Sequence, residues 1–211
     1  PMHSDCGRYS ITFNGEIYNY IELREDLKKL GVKFVSNSDT EVLLQLYIKH
    51  GRTFLKMLNG MFSFAIWDES SQELFCARDR FGEKPFFYYK SQDRFVFASE
   101  MKALWAVGVP RIINEESLYD YLMFNIIEHP EDRERTFYEN IYKIDAAQCL
   151  VIDRFGKIIK YKYWSLDCIN QNNRIKLEDA SIEFYQLLLD SVKIRMRSDV
   201  PIGSSLSGGL D

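Results

Sequence analysis

Three short stretches of the sequence carry side chains whose types and spacing could do chemistry. In Asn14-Gly15-Glu16 a carboxamide donor stands next to a glycine N–H. Two neighbouring donors aimed at one point are what the negative oxygen of a tetrahedral intermediate needs, and removing one such donor costs about 2.7 to 4 kcal/mol of barrier elsewhere. Glu16 beside them could neutralise a ligand ammonium. Asp39, in Ser38-Asp39-Thr40-Glu41, could supply a second carboxylate, because a buried cation without counter-charge is costly. At the other end, the glycines of Ser207-Gly208-Gly209-Leu210-Asp211 would let backbone N–H groups approach an anion, with a following helix N-terminus adding its dipole. That stretch is not a Walker A loop, which would require Gly-Lys-Ser/Thr.

Each stretch also has a plainer reading. Asn-Gly favours a type I′ hairpin turn through its positive φ angles. Asp39 suits a helix N-cap or a first-turn acid favoured by the helix dipole. The closing pentapeptide reads equally as a flexible Gly-Ser turn.

The elements that must position these residues follow from periodicity. Tyr9 to Phe13 alternates as a strand, and Tyr18 to Leu30 has helical spacing with Leu23, Leu27 and Leu30 on one face and Gly31 closing it. A short strand is predicted at Val32 to Val35, then a helix starting at Ser38 to Glu41 and running through Val42 to Ile48. Strands are predicted at Met61 to Trp67, Glu73 to Ala77, Phe86 to Tyr89 and Phe95 to Ala98, forming an antiparallel meander. Helices follow at Ser99 to Ala106 and Glu115 to Phe124, with a charged exposed loop at Glu128 to Arg135. Ala147 to Asp153 and Ile158 to Trp164 form a hairpin around Phe155-Gly156. The aromatic residues Phe62, Phe64, Trp67, Phe86, Phe87, Tyr88 and Tyr89 belong to the core. After Trp164 the polar run Asp167 to Arg174 marks a linker, and Leu177 to Arg197 a long amphipathic helix. This order gives α+β layering for the first part and the opening of an α/β domain for the second.

Composition excludes several classes. The chain has 211 residues, 46% hydrophobic and 27% charged, with no apolar run long enough to span a bilayer. A formal net charge of -4 offers no general attraction for nucleic acid. Cys6, Cys76, Cys149 and Cys168 form no metal-ligand spacing, which fits a reduced, cytosolic setting; His3, His50 and His129 are scattered, and no metal site is predicted. The start at Pro1, without methionine or a signal-peptide pattern, reads as a cut.

A set of ordered blocks goes further. Phe13 to Asn19, Ser38 to Val42, Asn59-Gly60-Met61-Phe62, Ala77-Arg78-Asp79-Arg80-Phe81-Gly82 with Lys84-Pro85, Ala98-Ser99-Glu100 with Lys102-Ala103-Leu104, and Asp199 to Gly203 with Ser207 to Asp211 resemble, in order and spacing, the glutamine-hydrolysing asparagine synthetase family. The resemblance implies a four-layer αββα sandwich of the N-terminal-nucleophile hydrolase type over residues 1–165, lacking its N-terminal part. Residues 166–211 would then begin an ATP-pyrophosphatase synthetase domain. On matching positions Asn14 and Gly15 would form an oxyanion hole, and Glu16 and Asp39 would hold the glutamine amino group. Leu206, Ser207, Gly208, Gly209 and Asp211 would belong to the ATP site. A terminal cysteine thiolate would release ammonia from glutamine, for transfer to an aspartyl-adenylate made with magnesium-bound ATP. The substrates would be glutamine, aspartate and ATP, with no nucleic acid or membrane involved, and a homodimer is compatible. The Arg78 to Gly82 stretch would hold the sheet and the domain contact.

The departures are equally specific. The family's nucleophilic cysteine and its carboxylate-gripping arginine belong upstream of Asn14 and are not in this chain. Cys6 is too near Asn14 and lacks the free amine that would serve as base. The acceptor-recognition residues belong beyond Asp211. As a fragment, the chain is expected to be inactive alone and to bind neither ATP nor Mg2+ tightly. Rivals share the pattern: a relative that amidates another carboxylate, such as a cell-surface polysaccharide precursor, or a β-lactam-forming synthetase with a dead glutaminase, and, from another class, a non-catalytic amino-acid-binding module.

Overall fold

Apolar residues alternate between the two faces of the strands, and that alternation decides how the layers stack. The computed structural model describes residues 1–166, 175–198 and 200–203. In chain order the strands are β1 (Met2–His3), β2 (Tyr9–Ile17), β3 (Gly60–Asp68), β4 (Glu73–Arg78), β5 (Phe87–Lys90), β6 (Phe95–Ala98), β7 (Ile141–Lys143), β8 (Gln148–Ile152) and β9 (Ile158–Lys162). The helices are α1 (Tyr20–Lys29), α2 (Asp39–His50), α3 (Met101–Ala106), α4 (Glu115–Phe124) and α5 (Leu177–Arg195), with a 3-10 turn at Gly51–Met57. The chain divides into two compact units, residues 1–168 and 169–211.

In the first unit all strand pairs are antiparallel. They form a six-stranded sheet in the order β1-β2-β3-β4-β8-β9 and a three-stranded sheet in the order β6-β5-β7. On one face of the large sheet Ile11, Ile17, Phe62, Phe64, Phe75 and Ala77 pack against Leu23 and Leu27 of α1 and Val42, Leu43 and Leu46 of α2. From the other face Ala65, Cys76, Leu150 and Ile152 meet Phe86, Tyr88 and Phe97 of the small-sheet region. The outer face of the small sheet, with Phe87, Tyr89, Val96 and Ile141, is covered by Leu104 of α3 and by Val109. Three cores thus separate four layers: a helix pair, a large sheet, a small sheet and α3. Each fully buried Phe in these cores is worth about 2 to 3 kcal/mol of transfer free energy.

The structure corrects several expectations. Asn14-Gly15 is not a turn, because β2 continues unbroken to Ile17, paired residue for residue with β3. No strand forms over Val32 to Val35; instead Val32 N–H closes onto Leu27 O, and the Glu41 carboxylate accepts from Val35 N–H and Ser36 N–H. The predicted meander is split. After β4 the chain crosses to the second sheet, and β4 takes the distant β8 as its neighbour. The strands β1 and β7, of two and three residues, are too short to leave a period in the sequence. The hairpin β8–β9, helix α4 and most of the aromatic core lie where the sequence put them, with Trp67 and Phe87 only half-buried.

The connection that leaves β4 is held by polar side chains spent on backbone. Asp79 is fully buried and accepts from the N–H groups of Phe62, Phe81, Glu83 and Lys84. Arg78 donates to the carbonyls of Gly82, Lys84 and Ile144, and burial brings its guanidinium below its ordinary pKa. Arg80 donates to Leu58 O and Lys56 O. This stretch ties the end of β4 to β3, to the segment before β8 and to the end of the 3-10 turn.

In the second unit α5 spans Leu177–Arg195 and buries none of its residues. Ile182, Tyr185, Leu189 and Val192 recur at helical spacing along it and are all exposed. Among the described residues no helix is long and apolar enough to cross a membrane.

Candidate functional site

The site grows from the end of β2. Alternation along that strand sends Ile11, Phe13 and Ile17 toward the α1/α2 core and Asn14 and Glu16 toward the small sheet. The carboxamide of Asn14 lies in a cavity of about 260 Å³ between the sheets and donates to Ser99 Oγ at 3.0 Å. Ser99 stands just past the end of β6, 85 residues away in sequence.

Gly15 is required where it sits. Its φ of 153° is one that residues with side chains rarely adopt, and a Cβ there would come within 2.1 Å of Met61 O and 2.7 Å of Phe62 Cα. Gly60, opposite Ile17, is equally confined, since a Cβ would meet Glu16 O at 2.2 Å. The two strands therefore touch backbone to backbone at this end.

The outer edge of β2 is open here, because β1 pairs only with Ser10 and Ile11. Tyr18 N–H donates inward to Asn59 O, while Ile17 N–H points the other way, to Asp39 Oδ2 at 3.0 Å. Strand N–H groups alternate in direction, so Gly15 N–H faces the same open edge as Ile17 N–H. Asp39 is the first residue of α2, and the N-cap is Ser38, whose hydroxyl accepts from Thr40 N–H at 3.1 Å. Asp39 is thus released from capping and tied to β2. Its other oxygen accepts only a long bond, 3.4 Å, from Thr40 Oγ1. Glu16 is exposed, and among the described residues its carboxylate has no hydrogen-bond or ion-pair partner.

Of the residues singled out in the sequence, Asn14, Gly15 and Glu16 are consecutive near the end of β2, and Asp39 is bonded to Ile17, the next residue of that strand; the cavity at Asn14 is lined by neither acid. Leu206, Ser207, Gly208, Gly209 and Asp211 lie outside the described residues. Cys6 is an exposed free thiol in the turn between β1 and β2, at the opposite end of β2; the Ser4 hydroxyl, 3.4 Å away, lowers its pKa. Cys76 and Cys149 are free and buried, and burial pushes both thiols up, Cys149 to about 12. Among the described residues no three His, Cys, Asp or Glu side chains gather as metal ligands. Ser99 is the residue that sequence reasoning did not assign to the site. Its only signal was membership of the Ala98-Ser99-Glu100 block.

The chain belongs to the glutamine amidotransferase domain family, whose model matches residues 1–164. Residues 183–211 match a second family, asparagine synthase. Glutamine-hydrolysing asparagine synthetase 1 of Bacillus subtilis is 38% identical over 213 residues, covering 100% of this chain and 32% of its own. A Methanocaldococcus jannaschii protein, provisionally named a glutamine-hydrolysing asparagine synthetase 2, is 43% identical over 206 residues, covering 95% of this chain and 38% of its own. Amidase chry2 of Gibberella zeae is 33% identical over 213 residues, covering 100% of this chain and 31% of its own. The chain spans about a third of the length of these curated relatives. Among solved structures, the glutamine phosphoribosylpyrophosphate amidotransferase of B. subtilis superposes with a TM-score of 0.55 at 23% identity, over 77% of this chain and 31% of that one. That likeness is one of fold.

Proposed function

We propose that this chain carries the glutamine-binding half of an asparagine synthetase that takes its nitrogen from glutamine. The observation that supports the reading is that Asp39 is bonded to Ile17 N–H at the open end of β2, directly after the consecutive Asn14, Gly15 and Glu16. In this reading the glutamine ammonium lies between the carboxylates of Glu16 and Asp39. A cysteine thiolate of the parent protein attacks the glutamine carboxamide carbon, and the carbonyl oxygen becomes an oxyanion facing Asn14 Nδ2 and Gly15 N–H. The proton taken from the thiol by the parent's terminal amine passes to the leaving nitrogen, so that collapse expels ammonia and leaves a thioester, which water hydrolyses to glutamate. The same reading makes residues 1–165 an N-terminal-nucleophile hydrolase sandwich. It makes residues 166–211 the opening of a synthetase domain in which ATP, with Mg2+, activates aspartate. Agreement of the 183–211 match with the names of the curated relatives supports that second half. A cytoplasmic setting accords with substrates of this kind.

The test is a kinetic one on the full-length protein, with glutamine hydrolysis and ATP-dependent asparagine formation both measured. Asp39→Asn keeps an acceptor for Ile17 N–H and removes only the charge. The expected outcome is a glutamine KM raised about tenfold, with kcat changed by less than about threefold, since losing uniform binding raises KM alone. An unchanged KM would remove the ammonium clamp from the reading.

The likeness to amidase chry2 favours a second reading, in which the ammonia goes to a carboxylate other than aspartate. Asparagine formation by the full-length protein separates the two.

A further inference from the structure

We propose that Ser99 is a positioning residue that sets the aim of the Asn14 carboxamide; this rests on the glutamine reading of the site. The two ends of a carboxamide are nearly alike in shape and opposite in function: Nδ2 donates, Oδ1 accepts. Only the donor end stabilises an oxyanion, and presenting Oδ1 instead would repel it. A partner bonded to Nδ2 therefore fixes the plane in which the donor end lies.

The cavity around Asn14 offers few candidates. Phe64, Ala65, Phe86 and Phe97 make much of its wall apolar and can hold no amide. Ser63, on the neighbouring strand, directs its hydroxyl to Pro85 O at 3.0 Å and makes no bond to the carboxamide. Thr12 lies two residues along the same strand and makes no bond to the carboxamide. Ser99 remains, and it is the one that accepts from Asn14 Nδ2, at 3.0 Å. An amide nitrogen carries two hydrogens. With one committed to Ser99, the second stays available while the plane of the group is fixed.

The bond also joins different layers. Asn14 belongs to the large sheet and Ser99 to the segment between β6 and α3 of the outer layers. The donor is thus anchored from the side opposite its own backbone, which restricts rotation about the terminal torsion of Asn14. A site held by such a supporting bond loses turnover before it loses binding when the bond is cut, because the group acts on the transition state.

The experiment is a double-mutant cycle on glutamine hydrolysis by the full-length protein, with Ser99→Ala, Asn14→Ala, the double variant and Ser99→Thr. Ser99→Ala is expected to lower kcat about tenfold, the equivalent of one ordinary hydrogen bond, with the glutamine KM within about twofold. Asn14→Ala is expected to lower kcat about a hundredfold or more. In the Asn14→Ala background, removing Ser99 should cost nothing further, and Ser99→Thr, which retains a hydroxyl, should recover most of the single-variant loss. Losses that multiply in the double variant, or a Ser99→Ala enzyme with unchanged kcat, overturn the proposal while leaving the glutamine reading in place. A full-length protein that hydrolyses no glutamine overturns both.

Discussion

The end of β2 and the connection after β4 are built from the same kinds of residue and treat them in opposite ways. At Arg78-Asp79-Arg80 every charged side chain is spent on the backbone: Asp79 accepts from four N–H groups, Arg78 donates to three carbonyls and Arg80 to two. At the strand end, Glu16 has no partner among the described residues, and Asp39 holds one backbone N–H with an oxygen to spare. Burial runs the same way, with Asp79 fully enclosed and Glu16 exposed. What separates the acids of the two regions is saturation. An acid whose hydrogen-bonding capacity is filled by its own chain has nothing left to offer a substrate.

Three measurements would break or sharpen that contrast. The largest effect is expected for Asp79→Ala, which strands four backbone donors, each worth about 1 to 3 kcal/mol when unsatisfied. A loss of at least about 4 kcal/mol should appear as a fall of about 10 °C or more in Tm for a unit of this size. A Tm within a few degrees of the parent would contradict the structural assignment. Next, Glu16→Gln in the full-length protein should leave Tm unchanged within about 1 °C and raise the glutamine KM about tenfold. If Tm falls while KM stays, the roles of the two regions are reversed. The smallest effect concerns the far end of β2, where Arg8 makes two bonds of 2.7 Å to Asp68. That guanidinium, helped by Ser71 and the N–H of Ser70, holds the Asp68 carboxyl well below the usual carboxylate range. A depressed pKa stabilises the folded state above the unfolded value of about 3.9, and that contribution is lost as pH falls toward the folded value. Asp68→Asn should therefore flatten the acid-unfolding curve below about pH 4 without altering glutamine kinetics.

Legibility in the sequence followed the length of the element and the locality of the contact. Helix α4 and strand β6 were readable to the residue, and β3 and β4 nearly so, because their apolar periods run for four residues or more. The split into two sheets was not, since the pairing of β4 with β8 joins Leu74 to Ile152 across a long stretch of chain that no local period records. At the site, Asn14 and Gly15 stood out by type but suggested a turn, because positive φ at an Asn-Gly pair is far commoner in hairpins than inside a strand. Asp39 could be singled out, yet its bond to Ile17 N–H spans 22 residues and became visible only with the fold. Ser99 lay beyond sequence reasoning for the same reason, with its partner 85 residues away.

Gly15 and Gly60 act together as a keyed joint. With no room for a methyl group at either position, β2 and β3 can mate in one alignment only, and sliding by a single residue would press a larger residue into the opposing main chain. Such a slide would also turn Asn14 and Glu16 to the opposite face of the sheet. The steric key that locks the two strands is therefore also what keeps the donor and the acid pointing the right way, so a mutation that loosened the joint would cost stability and aim in a single step.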